Sequence, residues 1–153
     1  MNILGIGPLI ALAGGAGLVV VMLLGPMFGM TVPLPPHWQG ICQILGIVLI
    51  VVGLYFWLSS AILVKRAFTS HRLETSGVYH FSRNPLYSAF IVFIVPGIAL
   101  VCNNLLILIP SLSMYAAFKM LIWKEEEFMH KEFGDEYQKY ARMVAQLIPF
   151  VRF

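Results

Sequence analysis

The chain has 153 residues, of which 59% are hydrophobic and only 11% are charged, with a formal net charge of +3. Soluble domains usually carry about 25% charged residues, so a water-soluble protein of this size could not bury so much apolar surface. The composition therefore predicts an integral membrane protein of one all-α domain. The small positive charge needs no nucleic-acid partner to explain it.

Four apolar segments predict four transmembrane helices, at residues 4–28, 40–64, 85–102 and 105–124. The first segment is uncharged and too long for a typical signal peptide, and no basic region precedes it, so we do not expect a secreted chain. It contains two interleaved pairs of small residues, Ala11-x3-Gly15 and Ala13-x3-Gly17, which allow another helix to approach closely. The second segment ends at Lys65-Arg66.

The last two segments are predicted to form a tight antiparallel hairpin, because Asn103-Asn104 is the one polar break between them. Asn84 is a favoured N-cap residue and Pro85 suits the first helical position, so a helix should begin there. That helix should kink at Pro96-Gly97, and it is short for a full membrane crossing. Pro110 is expected to kink the following helix.

Beyond Trp123 the helix is expected to continue to Phe133 and to stop at Gly134. An amphipathic helix is then predicted at residues 135–148, capped by Asp135 and lying on the membrane or folded back over the bundle. Its apolar face is expected to carry Tyr137, Tyr140, Ala141, Val144, Ala145 and Ile148. Its polar face is expected to carry Glu136, Gln138, Lys139, Arg142 and Gln146.

All ten Lys and Arg residues follow the second segment or lie around and beyond the end of the fourth. With four spans these regions share one side of the membrane, and the positive-inside rule makes that side the cytoplasm. Both termini and both polar blocks, residues 65–84 and the stretch from Glu125 to Tyr140, are therefore predicted to be cytoplasmic at an inner or cell membrane.

The two cysteines, Cys42 and Cys102, lie in apolar segments and are interpreted as small buried hydrophobic residues. Both should lie near the same membrane face, so the sequence leaves a disulfide open. No Cys and His cluster has the spacing of a metal site.

Arg83 and the run Glu125-Glu126-Glu127 are the charged residues best placed for chemistry. A structural explanation is available for each, since Arg83 can anchor the membrane surface and a glutamate run is usually solvated. A helix N-terminus beside a guanidinium is also a ready anion site, flanked here by Tyr79 and Phe81. Carboxylates at the C-terminal end of a span oppose the helix dipole, so at least one should have a cationic or hydroxyl partner.

These residues fall into two ordered patterns. The first is Gly77-x-Tyr79-x3-Arg83-Asn84-Pro85-x-Tyr87. The second follows the hydrophobic hairpin and reads Glu125-Glu126-x-Phe128-x4-Phe133-Gly134-x2-Tyr137-x2-Tyr140, closing at Ile148-Pro149. Over roughly residues 40 to 150 the chain resembles the isoprenylcysteine carboxyl methyltransferase and phospholipid methyltransferase superfamily of membrane enzymes.

The resemblance implies S-adenosylmethionine as the methyl donor, bound at the cytoplasmic face. By position, it implies that the cofactor contacts Tyr79, His80, Asn84, Pro85, Tyr87, Glu125 and Glu126. It implies that Arg83, Glu125 and Glu126 act at the reaction centre, with Arg83 orienting an anionic group. Asn84 replaces the histidine that is usual in the eukaryotic prenylcysteine enzymes. Because asparagine does not titrate near neutrality, Asn84 is not expected to act as a base.

The function predicted from this resemblance is methyl transfer to a lipophilic acceptor, such as an isoprenylcysteine-like carboxylate, a lipid amine or a small hydrophobic molecule. A carboxylate acceptor needs no base, whereas an amine would need Glu125, Glu126 or His80 to take its proton.

Two other functions remain open. One is an NADPH-dependent membrane reductase related to sterol reductases, although the chain is short for that class. The other is a non-enzymatic helical membrane protein, in which His80 and His130 are surface residues. The oligomeric state stays open.

Overall fold

The computed structural model describes residues 5–27, 31–70 and 72–149, and the regular structure in these ranges is helical. This confirms the all-α prediction. Four long helices are joined by short 3-10 turns at Pro36–Trp38, Gly77–His80 and Leu105–Ile107. The helices are α1 (Gly7–Met27), α2 (Gln39–Ser70), α3 (Pro85–Val101) and α4 (Leu108–Met143).

The predicted ends of α1 and α2 differ from the observed ends or cannot be compared with them. For α1, the predicted ends at residues 4 and 28 lie outside the described residues. For α2, the helix continues to Ser70 rather than ending at Val64. Lys65, Arg66 and Ala67 are good helix formers, and no glycine or proline follows Val64 until the helix has ended, so nothing local breaks it.

The helices pack as two pairs around the α3–α4 hairpin. α1 packs along α4, and α2 packs along α3, while α3 and α4 contact each other. The chain therefore places its first two helices on opposite sides of the hairpin. The polar ends of α3 and α4 lie between them.

Glycines set the closest helix contact, which joins α2 to α3. A Cβ atom on Gly46 would lie 2.6 Å from the carbonyl oxygen of Gly97, and one on Gly97 would lie 2.7 Å from that of Gly46. Gly53 makes a similar approach, because its Cβ would lie 3.0 Å from the carbonyl oxygen of Ala89. Small residues of this kind let two backbones touch directly.

The small residues of α1 divide between two faces. Gly14 and Gly17 face α4, where an added Cβ would lie 2.8 Å from Met114 and from Ser113 respectively. Gly15 faces open space, with nothing within 4 Å of an added Cβ. Of the two predicted pairs, Gly17 thus serves the internal contact and Gly15 does not.

α3 is irregular, although not at the predicted position. It begins as an α-helical turn, widens into a π-helix over Ala89–Ile94, and returns to α-helix from Val95. Pro96 has no N–H to donate, and the widened turn directly before it accommodates this loss. The hydroxyl of Ser111 on α4 donates a hydrogen bond of 2.6 Å to the Ile91 carbonyl in the widened turn.

Pro110 does not kink α4, because it lies in the first turn of that helix, where a proline is tolerated. The helix instead bends at Gly134, whose φ of 50° and ψ of −126° are not helical. It then continues to Met143, five residues short of the predicted end of the amphipathic helix. The predicted end of one helix at Gly134 and the start of another after it are thus confirmed, and the two helices meet there at a kink.

Beyond α4 the chain becomes extended, with φ −114° and ψ 138° at Val144, and turns back over the start of α3. We call residues 144–149 the C-terminal strap. Tyr137 and Tyr140 are buried as predicted, whereas Ile148 is exposed. Leu147 is buried in its place and joins the main hydrophobic core with Phe118.

The Asn103-Asn104 turn forms the predicted hairpin and holds the first loop as well. Asn103 has a φ of 50°, and its side-chain oxygen accepts a hydrogen bond of 2.8 Å from the Leu34 amide. The Asn104 side chain caps the next turn by accepting from Leu106 N, 3.1 Å away. One end of the bundle is therefore tied by uncharged hydrogen bonds.

Both cysteine thiols are free, so the disulfide that the sequence left open is not formed. Cys42 is partly buried. Cys102 is exposed, contrary to the prediction that both are buried, because it lies at the end of α3 in the turn to α4.

Within the described parts of the chain, two helices are long and apolar enough to cross a membrane, over Pro36–Ala67 and Leu105–Met143, and two shorter apolar helices cover Gly7–Leu23 and Pro85–Val101. The outward surfaces of α1 and α2 expose many large apolar side chains, among them Leu12 at 69% and Ile44 at 65% exposure. Continuous apolar surface of this kind indicates contact with lipid or another apolar partner.

The glycine contact between α2 and α3 yields a testable prediction. Gly97→Ala should lower the free energy of unfolding by about 1–3 kcal/mol, because its new methyl group meets backbone atoms that cannot move aside. Gly15→Ala is the matched control and should be neutral or stabilising by up to about 1 kcal/mol. Denaturant unfolding in detergent would measure both, and equal effects of the two variants would contradict the packing described.

Candidate functional site

The start of α3 is held by the C-terminal strap through hydrogen bonds to the backbone of the strap. The Arg83 amide donates to the Ala145 carbonyl and the Asn84 side-chain amide donates to the Gln146 carbonyl, each over 2.8 Å. The Ser88 hydroxyl donates to the Leu147 carbonyl. Three successive carbonyls of the strap thus accept hydrogen bonds from residues at and just before the start of α3, which fixes the position of both segments.

Asn84 does not cap α3 with its side chain, contrary to the prediction. It occupies the N-cap position with φ −128° and ψ 59°, and its side chain makes no capping hydrogen bond. Its side-chain amide is used instead to hold the strap. The Asn84 backbone amide donates to the Ser82 hydroxyl, 3.2 Å away. Pro85 begins the helix as predicted and is fully buried.

Arg83 and Glu126 form an ion pair across the site. Arg83 Nη1 lies 2.9 Å from Glu126 Oε1, and the two side chains are 14% and 29% exposed. The same guanidinium nitrogen lies 3.4 Å from the Tyr137 hydroxyl, to which it donates. Arg83 Nε is buried and has no hydrogen-bond acceptor among the described residues. A buried guanidinium N–H without an acceptor is costly, so this atom offers a place for an acceptor oxygen of a ligand.

Glu125, one residue earlier, serves a different set of partners. Its Oε1 accepts hydrogen bonds from the Ile6 amide at 2.7 Å and from the Tyr87 hydroxyl at 2.9 Å. The Ile6 amide lies directly before α1, so the carboxylate supplies an acceptor at the N-terminus of that helix. Glu125 therefore joins α1, α3 and α4 at the polar end of the bundle.

Glu127 faces solvent and pairs with Lys131 one turn later, at 2.7 Å. Because both side chains are largely exposed, this pair contributes little to stability. The three adjacent glutamates thus have three different environments. The expectation that at least one has a cationic or hydroxyl partner is confirmed, for Glu126 by Arg83 and for Glu125 by Tyr87.

Tyr79 flanks this polar end on the side of α2. Its carbonyl oxygen accepts a hydrogen bond of 2.6 Å from the Tyr140 hydroxyl. Burial raises the pKa of the Tyr79 phenol to about 12, so this group stays protonated at neutral pH and can donate a hydrogen bond. The neighbouring His80 is exposed, and its ring contacts that of Phe81. Among the described residues His80 has no hydrogen bond to the Arg83 and Glu126 pair.

The structure thus brings Arg83, Asn84 and Glu126 together under the strap, places Tyr87 with Glu125, and leaves His80 apart. Sequence reasoning missed the part played by Gln146, which it assigned to the polar face of a surface helix. Its side-chain amide donates to Glu126 Oε1 over 2.9 Å and accepts from Lys119 Nζ over 2.8 Å. No local signal marks this role, because Pro149 restricts only Ile148, the residue directly before it.

Chemically, the site presents one guanidinium and one carboxylate side by side, both partly buried, at the polar end of apolar helices. Such a pair suits a ligand that carries an anionic and a cationic group close together, since each protein charge can exchange its partner. The flanking side chains of Tyr137 and Tyr79 add aromatic surface. The Glu126 carboxylate is paired with a guanidinium, so the arrangement favours binding and orienting two reactants rather than covalent catalysis.

Comparison with known proteins identifies the segment that carries these residues. The profile of the phospholipid methyltransferase family matches residues 41–136, which is more than half of the chain and includes Arg83, Glu125 and Glu126. A probable protein-S-isoprenylcysteine O-methyltransferase of Oryza sativa subsp. indica is 31% identical over 115 residues, which cover 69% of this chain and 60% of that protein.

Protein-S-isoprenylcysteine O-methyltransferase A of Arabidopsis thaliana is 31% identical over 127 residues, covering 77% of this chain and 64% of that protein. The Schizosaccharomyces pombe protein-S-isoprenylcysteine O-methyltransferase is 30% identical over 92 residues, covering 60% of this chain and 39% of that protein. The chain therefore spans less than two thirds of the length of these relatives. No solved structure matches it significantly.

The Glu125 contacts yield a second prediction. Gly5 has a φ of 49°, and an added Cβ would lie 1.9 Å from Glu125 Oε1. Gly5→Ala should therefore break the link between Glu125 and the start of α1 and lower the free energy of unfolding by about 2 kcal/mol. Gly7→Ala is the control, because its Cβ would make only an ordinary contact of 3.8 Å with the Tyr87 hydroxyl. Unfolding in detergent would compare them, and a Gly5→Ala variant as stable as the control would refute the described tether.

Proposed function

The chain belongs to the phospholipid methyltransferase family, and from this premise we propose that it is a membrane methyltransferase that uses S-adenosylmethionine to methylate a lipophilic acceptor. The observation that carries the proposal is the partly buried ion pair between Arg83 and Glu126, 2.9 Å apart, with the Arg83 Nε lacking an acceptor. Both residues lie inside the segment that the family profile matches.

The residues present fit the amino-acid end of this cofactor, which carries a carboxylate and an ammonium group. Arg83 would donate to the carboxylate through its unsatisfied Nε, and Glu126 would accept from the ammonium. Glu126 is the more suitable of the two glutamates, because it lies beside Arg83, whereas Glu125 accepts from the Ile6 amide and Tyr87 and so ties the start of α1 to α3. We therefore assign cofactor binding to Glu126 and a supporting role to Glu125. Cofactor contacts of Tyr79, His80, Asn84 and Pro85 stay predictions.

When bound, S-adenosylmethionine supplies an electrophilic methyl group on a sulfonium sulfur. The work left to the chain is to align the two reactants and to keep the site dry. Arg83 and Glu126 would fix the polar end of the cofactor, while the Tyr137 and Tyr79 rings and the strap would exclude water around it. None of the site residues is a histidine, which favours an acceptor that needs no general base, such as a carboxylate.

The acceptor is proposed to be lipophilic because the polar site lies at one end of helices with exposed apolar surfaces. An acceptor dissolved in the membrane could approach along these surfaces without entering water. The relatives are named for an isoprenylcysteine carboxyl acceptor and the family for phospholipid acceptors. An isoprenylcysteine-like carboxylate, a lipid amine and a small hydrophobic molecule are all compatible with the site.

The proposal includes four membrane-spanning helices with both termini and the site in the cytoplasm. Every Lys and Arg residue lies between the C-terminal turns of α2 and the start of α3, or around and beyond the cytoplasmic end of α4, whereas the Asn103-Asn104 turn and the loop it holds carry neither. This asymmetry supports the orientation through the positive-inside rule. The cofactor would then enter from the cytosol and the acceptor from the membrane.

The relatives do not favour the NADPH-dependent reductase. The non-enzymatic alternative explains Arg83 and Glu126 as a structural ion pair, which a ligand would not need to open. It therefore predicts that the unaltered protein does not bind the ligand, and that variants with Arg83 or Glu126 exchanged do not bind it either. Direct measurement of cofactor binding separates this alternative from a methyltransferase.

Our third prediction concerns Glu126. Glu126→Gln should weaken the binding of S-adenosylhomocysteine at least tenfold, because a charged partner for the ammonium group is lost. Glu127→Gln removes the same charge one residue away and should bind like the unaltered protein, since Glu127 pairs only with Lys131 at the surface. Calorimetry on detergent-purified protein would measure both.

Methyl transfer from labelled S-adenosylmethionine into membrane lipid extract would then identify the acceptor class. Failure of the unaltered protein to bind either form of the cofactor, in detergent and in lipid nanodiscs, would overturn the proposed function. Equal binding by the Glu126 and Glu127 variants would overturn only the assignment of Glu126.

A further inference from the structure

Gln146 lies at the centre of a chain of polar contacts. The roles assigned above to Arg83, Glu125 and Glu126 do not explain these contacts. Its Nε2 donates to Glu126 Oε1 over 2.9 Å, and its Oε1 accepts from Lys119 Nζ over 2.8 Å. Lys119 belongs to α4, so the side chain of the strap residue bridges two positions on that helix. The backbone carbonyl of Gln146 separately accepts from Asn84.

We propose that Gln146 is a positioning residue that holds the Glu126 carboxylate ready for the cofactor, an inference that rests on the proposed function. The Glu126 contacts to Arg83 and Gln146 both use Oε1. Glu126 Oε2 has no hydrogen bond within the described part of the chain and is the oxygen left for a ligand. Two donors on one oxygen fix the rotation of the carboxylate, so the other oxygen has a defined direction.

Lys119 determines which end of the Gln146 amide meets Glu126. Lysine can only donate, so it requires the amide oxygen, and the amide N–H groups must then point toward the carboxylate. A neutral amide orients Glu126 without cancelling its charge, which a second cation beside Arg83 would do. This leaves Glu126 negative enough to attract an ammonium group while it stays paired with Arg83.

The side chain of Gln146 can be tested apart from the strap that carries it. The strap is anchored to the start of α3 by three backbone carbonyls, and Leu147 is buried in the core. A substitution at residue 146 leaves all these anchors in place. A purely structural role for the strap therefore predicts unchanged binding in a side-chain variant that folds normally.

The test is calorimetric binding of S-adenosylhomocysteine to Gln146→Met, which keeps the length of the side chain and loses both hydrogen bonds. We expect about tenfold weaker binding, as for the loss of a hydrogen bond to a charged group, with an unchanged unfolding midpoint. Gln138→Met is the matched control, because Gln138 is exposed on the part of α4 that precedes the strap. Gln146→Asn keeps the amide and shortens its reach, and it should weaken binding similarly if the Met variant does not fold.

A double-mutant cycle shows whether Gln146 acts through Glu126. In the Glu126→Gln background, Gln146→Met should cost little further affinity, because the carboxylate that it positions is gone. Steady-state kinetics should show a raised KM for S-adenosylmethionine with little change in kcat, as expected when an interaction of the bound cofactor is lost.

The results test the positioning role of Gln146 and the proposed function of the protein separately. If the unaltered protein binds and Gln146→Met binds equally well, the positioning role is wrong and the proposed function stands. If the same loss occurs in both Glu126 backgrounds, Gln146 does not act through Glu126, and the inference again fails. If the unaltered protein does not bind S-adenosylhomocysteine, the proposed function is wrong, and the positioning role of Gln146 is wrong as well.

Discussion

Two neighbouring carboxylates on α4 hold the polar end of this protein together. Adjacent residues of an α-helix point about 100° apart, so Glu125 and Glu126 reach different parts of the chain. Glu125 accepts from the start of α1 and from Tyr87 on α3, while Glu126 pairs with Arg83 and receives the amide of Gln146. Glu125 thereby joins α1, α3 and α4, and Glu126 joins α4 to the residue before Asn84 and to the strap.

The apolar surroundings of Glu125 and Glu126 explain why both carboxylates have several hydrogen-bond partners. A carboxylate near an apolar region is costly unless it is paired and hydrogen-bonded. The two glutamates meet this requirement with backbone, hydroxyl, amide and guanidinium donors drawn from three separate parts of the sequence. One donor, Arg83 Nε, is left over. This donor is available to an acceptor group of a ligand.

Much of this could be predicted from the sequence. Long uncharged stretches predict helices, and Asn103-Asn104 predicts the turn that brings α3 and α4 together. Because a hairpin returns its two ends to the same side, Arg83 at the start and Glu126 at the finish had to lie close. The dipole argument for a partner to the glutamates was also sound, since it depends only on their position at the end of an apolar helix.

The strap could not be predicted in the same way. Its residues continue the helical periodicity of Tyr137 and Tyr140, so pattern alone extends the helix to Ile148. What ends the helix is a set of long-range hydrogen bonds, from Arg83, Asn84 and Ser88 to carbonyls about 60 positions away. Local propensity carries no information about these partners. The same limit applies to α1, where spacing indicates small residues but not that Gly14 and Gly17 face α4 while Gly15 faces outward.

We assign cofactor binding to Glu126 and a structural role to Glu125, although the two residues are adjacent and chemically identical. The most direct test is an experimental structure of the protein in lipid with S-adenosylhomocysteine bound. We predict ligand density at Arg83 and Glu126 beneath the strap, with Glu125 still bonded to the Ile6 amide and Tyr87. Density that contacts Glu125 instead, with the tether to α1 released, would contradict the account.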